Sequence, residues 1–106
     1  MFSMTILYNH PTDPAEFDRY YDEVHTPLAQ KIKGLQGLSV TRFKPGPHGE
    51  KPPYHLMAIL YANTPAEFNA AMSSPEGRAA VADVPNFATG GVTMVPGEET
   101  KVSMPM

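Results

Sequence analysis

The chain contains no cysteine, which excludes a disulfide, a thiolate nucleophile and a zinc–thiolate site. No apolar run is long enough for a membrane span and no stretch resembles a signal peptide, so a soluble, cytoplasmic protein is expected. Basic residues are few and scattered singly, 8 Lys and Arg against 11 Asp and Glu for a formal charge of −3. Without a basic patch to track phosphates, no nucleic-acid partner is expected. Nucleophile and nucleotide motifs are missing as well. There is no Gly-x-Ser-x-Gly elbow and no Ser-x-x-Lys. Gly90-Gly91 precedes a strand pattern, whereas a phosphate loop precedes a helix. No two histidines share helical or hairpin spacing with a carboxylate, so neither a metal site nor a bound cofactor is expected.

What the chain does have is a repeat. Ile6-Leu7-Tyr8 leads to Asp13-Pro14-Ala15-Glu16-Phe17, and Ile59-Leu60-Tyr61 leads to Thr64-Pro65-Ala66-Glu67-Phe68. Each copy runs an apolar strand into a helix start. Asp13 and Thr64 are N-cap types, Pro14 and Pro65 suit the first helical position, and Glu16 and Glu67 stand where a capping-box carboxylate reaches back. Two βα units in tandem follow. With 106 residues and 42% apolar content, the chain is read as one domain, residues 1–106, whose core is small enough that a second copy is expected to add to it.

Phe2 to Tyr8 reads as the first strand, with Phe2, Met4, Ile6 and Tyr8 on one side and Ser3, Thr5 and Leu7 on the other. The first helix starts at Pro14 and carries a stripe of Phe17, Tyr20, Tyr21, Val24, Leu28 and Ile32, stopping near Gly34. Leu38 to Lys44 makes the second strand, and the polar, proline-rich Pro45–Pro53 segment is an exposed loop. Tyr54 to Tyr61 is the third strand. A second helix begins at Pro65 and restarts at Ser74-Pro75-Glu76 as far as about Asp83, and Val92 to Val95 supplies the fourth strand. The tail offers an extra edge strand around Thr100 to Ser103 or stays loose.

The order βαββαβ is the ferredoxin-like plan, an α+β fold with an antiparallel sheet and both helices on one face. Aligning the repeat puts Met57, Ile59 and Tyr61 on the face of Met4, Ile6 and Tyr8, with Leu56, Ala58 and Leu60 on the other beside Leu7. Both faces are then apolar while helices cover only one. A homodimer packing sheet to sheet, a dimeric α+β barrel, buries the remainder. A small apolar or aromatic molecule is the expected ligand, held between the sheets or in the cleft between sheet and helices.

His25 is the leading candidate for chemistry. Thr26-Pro27 follows it, so the helix is expected to kink or break there and re-aim its neighbours. Tyr21 lies one turn earlier, and Asp22 at i−3 is placed to hold the imidazole of a general acid or base. The alternative is an inert histidine at the margin of an amphipathic helix. Tyr8 and Tyr61 end the central strands at equivalent points, aimed at the mouth where ligands bind in open sheets. His55, on the face of Tyr61 in this alignment, lines the cavity with Met4 and Met57 or sits near solvent at the strand end. His10 and His48 read as surface residues.

The pattern Phe-x-x-Tyr-Tyr-x-x-x-His-x-Pro-Leu, carried by Phe17, Tyr20, Tyr21, His25, Pro27 and Leu28 and followed by Gly34-Leu35-Gln36-Gly37-Leu38, resembles the EthD family. So does Phe68 to Gly91, with Ser74-Pro75-Glu76-Gly77 and the Asn86-Phe87 loop. The resemblance spans nearly the whole chain and implies the dimeric α+β barrel superfamily. It places the family's helix histidine on His25 and implies a pocket with Tyr21, Tyr8 and Phe87. The family takes its name from bacterial operons that degrade ethyl tert-butyl ether, where the protein accompanies a cytochrome P450 system. Three classes of function follow. One is a catabolic, cofactor-independent isomerase, dehydratase or oxidoreductase using His25 as acid or base. The second is a non-catalytic accessory protein that holds a ligand for an oxygenase system, and the third is haem capture through His25.

Overall fold

Asp13 and Thr64 cap two helices in the same way. The Asp13 carboxylate accepts from the Glu16 N–H at 3.1 Å, and the Thr64 hydroxyl accepts from the Glu67 N–H at 3.1 Å, satisfying donors that have no partner within the helix. The return half of the capping box does not form at the first, because Glu16 is taken by Arg19 one turn on. The computed structural model describes residues 1–105. Its elements are β1 (Phe2–Tyr8), α1 (Pro14–Tyr20), a π-helical turn (Tyr21–His25), α2 (Thr26–Gln30), β2 (Gly37–Arg42), β3 (Leu56–Ala62), α3 (Pro65–Ser73), α4 (Pro75–Asp83), a 3-10 turn (Val84–Asn86) and β4 (Val92–Glu98). No helix among the described residues is long and apolar enough to cross a membrane.

The sheet order is β2-β3-β1-β4 with antiparallel neighbours throughout. This is the ferredoxin-like α+β arrangement expected from the repeat, with β1 and β3 central. β2 and β3 are shorter at the loop ends than the hydrophobic runs suggest. β4 instead runs three residues past Val95, because Pro96, Gly97 and Glu98 pair with Met4, Ser3 and Phe2. Thr100 to Ser103 forms no strand, and Met106 lies outside the described residues.

The repeat misleads on one point. β1 and β3 run antiparallel, and their register sets Tyr8 opposite Leu56, Ile6 opposite Ala58 and Met4 opposite Leu60. Directly opposed residues share a face, so Leu56, Ala58 and Leu60 join Phe2, Ile6 and Tyr8 beneath the helices. Met57, Ile59 and Tyr61 turn to the other face with Leu7, Thr5 and Ser3. The repeat equates Tyr8 with Tyr61, an even position with an odd one, whereas the ladder pairs even with even and odd with odd, so every β3 side chain falls on the face opposite to the one expected. The helix side buries Phe2, Ile6, Tyr8, Leu56, Ala58, Leu60 and Ala62 against Phe17, Tyr21, Phe68 and Phe87. Among the described residues no helix covers the other face, and its central residues Leu7, Met57, Ile59 and Tyr61 stay partly exposed.

α3 and α4 meet through Ser74, whose hydroxyl donates to the Ala71 carbonyl at 2.6 Å and accepts from the Gly77 N–H at 3.1 Å. Gly77 is buried, and a Cβ there would run into the Ala71 carbonyl oxygen and the Met72 Cα. The tight corner brings Ala80 against Ala71 and Ile32. Gly77→Ala is expected to destabilise the fold by about 1–3 kcal/mol, the usual range for overpacking, measured by urea denaturation. A loss under about 0.5 kcal/mol, within the scatter of surface changes, would mean that the corner yields freely.

Candidate functional site

The stripe of α1 carries Phe17 and Tyr21 onto the sheet, where both are 2% exposed. Ordinary helical bonding stops at Tyr20. The Thr26 N–H reaches back five residues to the Tyr21 carbonyl, a π-type bond that fits an extra residue into the turn. Pro27, which lacks the N–H an α-helix needs, therefore follows a widened turn, and the helix continues as α2 where the sequence suggested a kink or break. The widened turn points His25 inward to 7% exposure.

The partner of His25 is Asp83, at the end of α4. Its Oδ2 lies 3.0 Å from the imidazole Nδ1. Its Oδ1 accepts from the Tyr20 hydroxyl at 2.6 Å and from the Asn86 side-chain amide at 3.0 Å. A carboxylate receiving three donors stays ionised, and these bonds hold the Asp83 carboxyl below the usual carboxylate range against the effect of burial. An ionised carboxylate only accepts, so Nδ1 carries the imidazole proton and Nε2 is left as an acceptor. Burial holds His25 below its ordinary value of 6.5 despite the hydrogen bond and charge of Asp83. The ring is thus a neutral, oriented base at neutral pH.

That ring lines a cavity of about 210 Å³ between the sheet and the helices. Ile6, Ala58 and Leu60 form its floor, Ala29, Ile32, Ala80 and Val84 its helical side, and Val92 and Met94 lie toward the edge strand. Tyr8 and Tyr21 also line it. Phe87 backs the group, with its ring centroid 4.6 Å from His25 and 5.6 Å from both Tyr8 and Tyr21. Burial pushes the Tyr21 phenol up to about 12 and the Tyr8 phenol higher still, so both remain protonated. The Tyr8 hydroxyl, on a residue 1% exposed, has no hydrogen-bond partner among the described residues. A buried polar group left unpaired costs about 1–3 kcal/mol.

The structure therefore brings together His25, Tyr21, Tyr8 and Phe87 from the sequence-predicted residues and separates the other two. Tyr61 lies on the open sheet face beside Gln36 and Met1. His55 precedes β3, and its ring turns to the helix side, with Nε2 2.8 Å from Asp18 Oδ1 and the ring 4.8 Å from Phe17. It does not line the cavity with Met4 and Met57. His10 is partly buried, its Nε2 2.7 Å from the Pro52 carbonyl, and so tethers the Pro45–Pro53 loop. Asp22, expected to hold His25, is exposed and pairs with Arg42. Sequence reasoning missed Asp83, which lies 58 positions from His25. The available signal was one carboxylate inside the otherwise apolar run Ala79-Ala80-Val81-Ala82-Asp83-Val84-Pro85.

Residues 9–91 match the model of the EthD domain. An uncharacterized 11.0 kDa protein in the thcB-thcC intergenic region of Rhodococcus erythropolis is 46% identical, over 96% of this chain and 98% of that one. An ethyl tert-butyl ether degradation (EthD) family protein from Bacillus halodurans superimposes with a TM-score of 0.87 at 36% identity, over 94% and 99% of the two chains. A dimeric protein of unknown function and ferredoxin-like fold from Bacteroides fragilis superimposes at 0.67 over 92% and 95%, and at 14% identity that likeness is one of fold alone.

Two outcomes follow from the His25–Asp83 pair. In the unfolded chain a histidine takes up a proton as the pH falls through about 6.5, whereas His25 in the fold resists until lower pH. The unfolded state then binds more protons, and stability falls with pH over that interval. The melting temperature should drop between pH 7 and pH 5.5, and His25→Gln should flatten the decline; identical curves would remove His25 from the linkage. Asp83→Asn replaces an obligate acceptor with a group able to donate, so the imidazole proton should move from Nδ1 to Nε2. Nitrogen NMR of the labelled ring reads the tautomer directly, and an unchanged one would mean that Asp83 does not set it.

Proposed function

The chain belongs to the EthD domain family, and from that premise we propose that it is a small catabolic enzyme which moves a proton on an apolar, aromatic-sized molecule, with His25 as general base. The observation that carries this reading is the free Nε2 of a neutral imidazole that lines an apolar cavity, its other nitrogen fixed by Asp83. A histidine with one nitrogen hydrogen-bonded to a buried carboxylate keeps the tautomer and orientation that proton abstraction needs. Asp83 also stabilises the imidazolium that forms, and its own load is shared with Tyr20 and Asn86. The lining is almost wholly apolar, which strengthens electrostatic contacts made against it. Tyr21 lies against the imidazole with centroids 5.3 Å apart and limits its rotation.

The assembly belonging to this reading is a homodimer closed through the open sheet face. Leu7, Met57, Ile59 and Tyr61 offer a central apolar strip there with Thr5 among them, and sheet-on-sheet packing is the usual way to bury such a strip. The dimeric Bacteroides fragilis protein shares the fold. In such a dimer the two cavities open away from the shared interface, each on the helix side of its own sheet.

A generic carbon acid tests the base without knowledge of the natural substrate. 5-Nitrobenzisoxazole loses its ring C–H proton to a base as the N–O bond breaks to a coloured phenolate. The purified protein should accelerate this elimination with a rate that rises as His25 loses its proton. His25→Ala should lower the rate by about 10²- to 10⁴-fold, the range for a general base, and should still elute as a dimer on gel filtration. A variant as fast as the parent would refute His25 as the base.

A further inference from the structure

We propose that the Tyr8 hydroxyl is a hydrogen-bond donor for a ligand oxygen, so that the site takes enolisable carbonyl compounds, with the carbonyl at Tyr8 and the adjacent C–H at His25. This deepens the reading of His25 as a base and rests on it for its chemistry. Its own support is the unpartnered phenol. Tyr8 is 1% exposed, its oxygen finds no acceptor among the described residues, and the residue lines the cavity. Its ring is fixed by Phe17, Tyr21 and Phe87 at centroid distances of 5.5, 5.8 and 5.6 Å, so the hydroxyl has no second rotamer in which to find a partner. The one nearby carboxylate, Asp83, is already taken by Tyr20, Asn86 and His25. A hydroxyl held this way is preorganised toward whatever oxygen enters the cavity.

The position relative to His25 gives the group a role. Tyr8 and His25 line the same cavity and share the neighbours Tyr21 and Phe87, so one molecule in that cavity meets both. Nε2 takes a proton from the carbon beside the carbonyl. The C–H electron pair becomes the new C=C bond, the C=O π pair moves to oxygen, and the Tyr8 O–H donates to the enolate oxygen that results. The phenol keeps its own proton, because burial makes its ionisation unfavourable. The imidazolium then returns the proton to the same carbon, or to a conjugated one, which makes the net reaction an exchange or an isomerisation with no other reactant. A hydrocarbon of the same shape fills the walls but leaves the Tyr8 hydroxyl unpaired, so the site distinguishes the two.

The test compares 2-tetralone with tetralin, which share a shape and differ in the carbonyl. Wild-type protein should bind 2-tetralone at least tenfold more tightly by calorimetry. Tyr8→Phe should bring the ketone to within twofold of tetralin while leaving tetralin unchanged. Removing an unpaired buried hydroxyl should also leave the melting temperature equal or higher, which separates lost binding from lost fold. Equal affinities in the wild type, no binding of either compound, or an undiminished preference in Tyr8→Phe would each overturn the proposal. Exchange of the ketone's α-protons in D₂O, followed by NMR, tests the base separately. If the preference depends on Tyr8 but His25→Ala exchanges as fast as wild type, His25 fails as the base while Tyr8 stands as the donor.

Discussion

The carboxylate of Asp83 joins the two halves of the helical layer. On one side it receives Tyr20 and His25, from either end of the π turn; on the other it ends α4 and holds Asn86 of the turn that follows. Without it, His25 would be a buried imidazole with no fixed tautomer, and the end of α4 would have no polar tie to the first helical segment. A buried carboxylate is tolerated only when its lone pairs are filled. The three donors meet that condition, and they also impose geometry, since all of them must converge on one residue. The aromatic cluster of Phe17, Tyr21, Phe87 and Tyr8 packs around that fixed point.

A sheet of four strands with helices on one face leaves a second constraint. The covered face is almost wholly aliphatic and aromatic. The open face mixes Thr5, Ser3 and Thr93 with Leu7, Met57, Ile59 and Tyr61, an amphipathic composition suited to contact with a like surface. In the proposed dimer, ligand and subunit contacts lie on opposite sides of one layer. Cavity residues can then change without touching the open face, which suits a fold that carries different chemistries in different chains.

Much of the fold was legible because the signals were local. The caps Asp13, Thr64 and Ser74, the prolines that follow them, and the alternation of Phe2 to Tyr8 each need only a few neighbouring residues to interpret. The register of β3 was not legible, because the repeat that identified the strand aligned even positions of β1 with odd positions of β3, whereas the ladder pairs like with like. Tyr61 was misplaced for that reason alone. Tyr8 and Tyr21 converge because strand and helix periodicity already point them inward, whereas His25 is turned in by the π turn and Phe87 follows the 3-10 turn. Asp83 was hidden by its separation along the chain, and Asp22 was preferred to it only because it is close in sequence. Proximity along a helix is a poor guide to the partner of an inward-facing histidine when the nearer carboxylate faces outward and pairs with a cation of another element, here Arg42 of β2.

In the π turn at Tyr21–His25, one residue beyond the α-helical count is stored between Tyr20 and Thr26, where the Thr26 N–H reaches the Tyr21 carbonyl, and such a bulge lets the segments on either side keep the phase of a helix one residue shorter. At about 100° per residue, Phe17 and Ile32 share the inward side with or without it. What the turn supplies is local, the width before Pro27 and the inward aim of His25. Loss of one residue within it would restore continuous α-helical bonding with the flanking stripe in place, and its effect would fall on the His25–Asp83 pair.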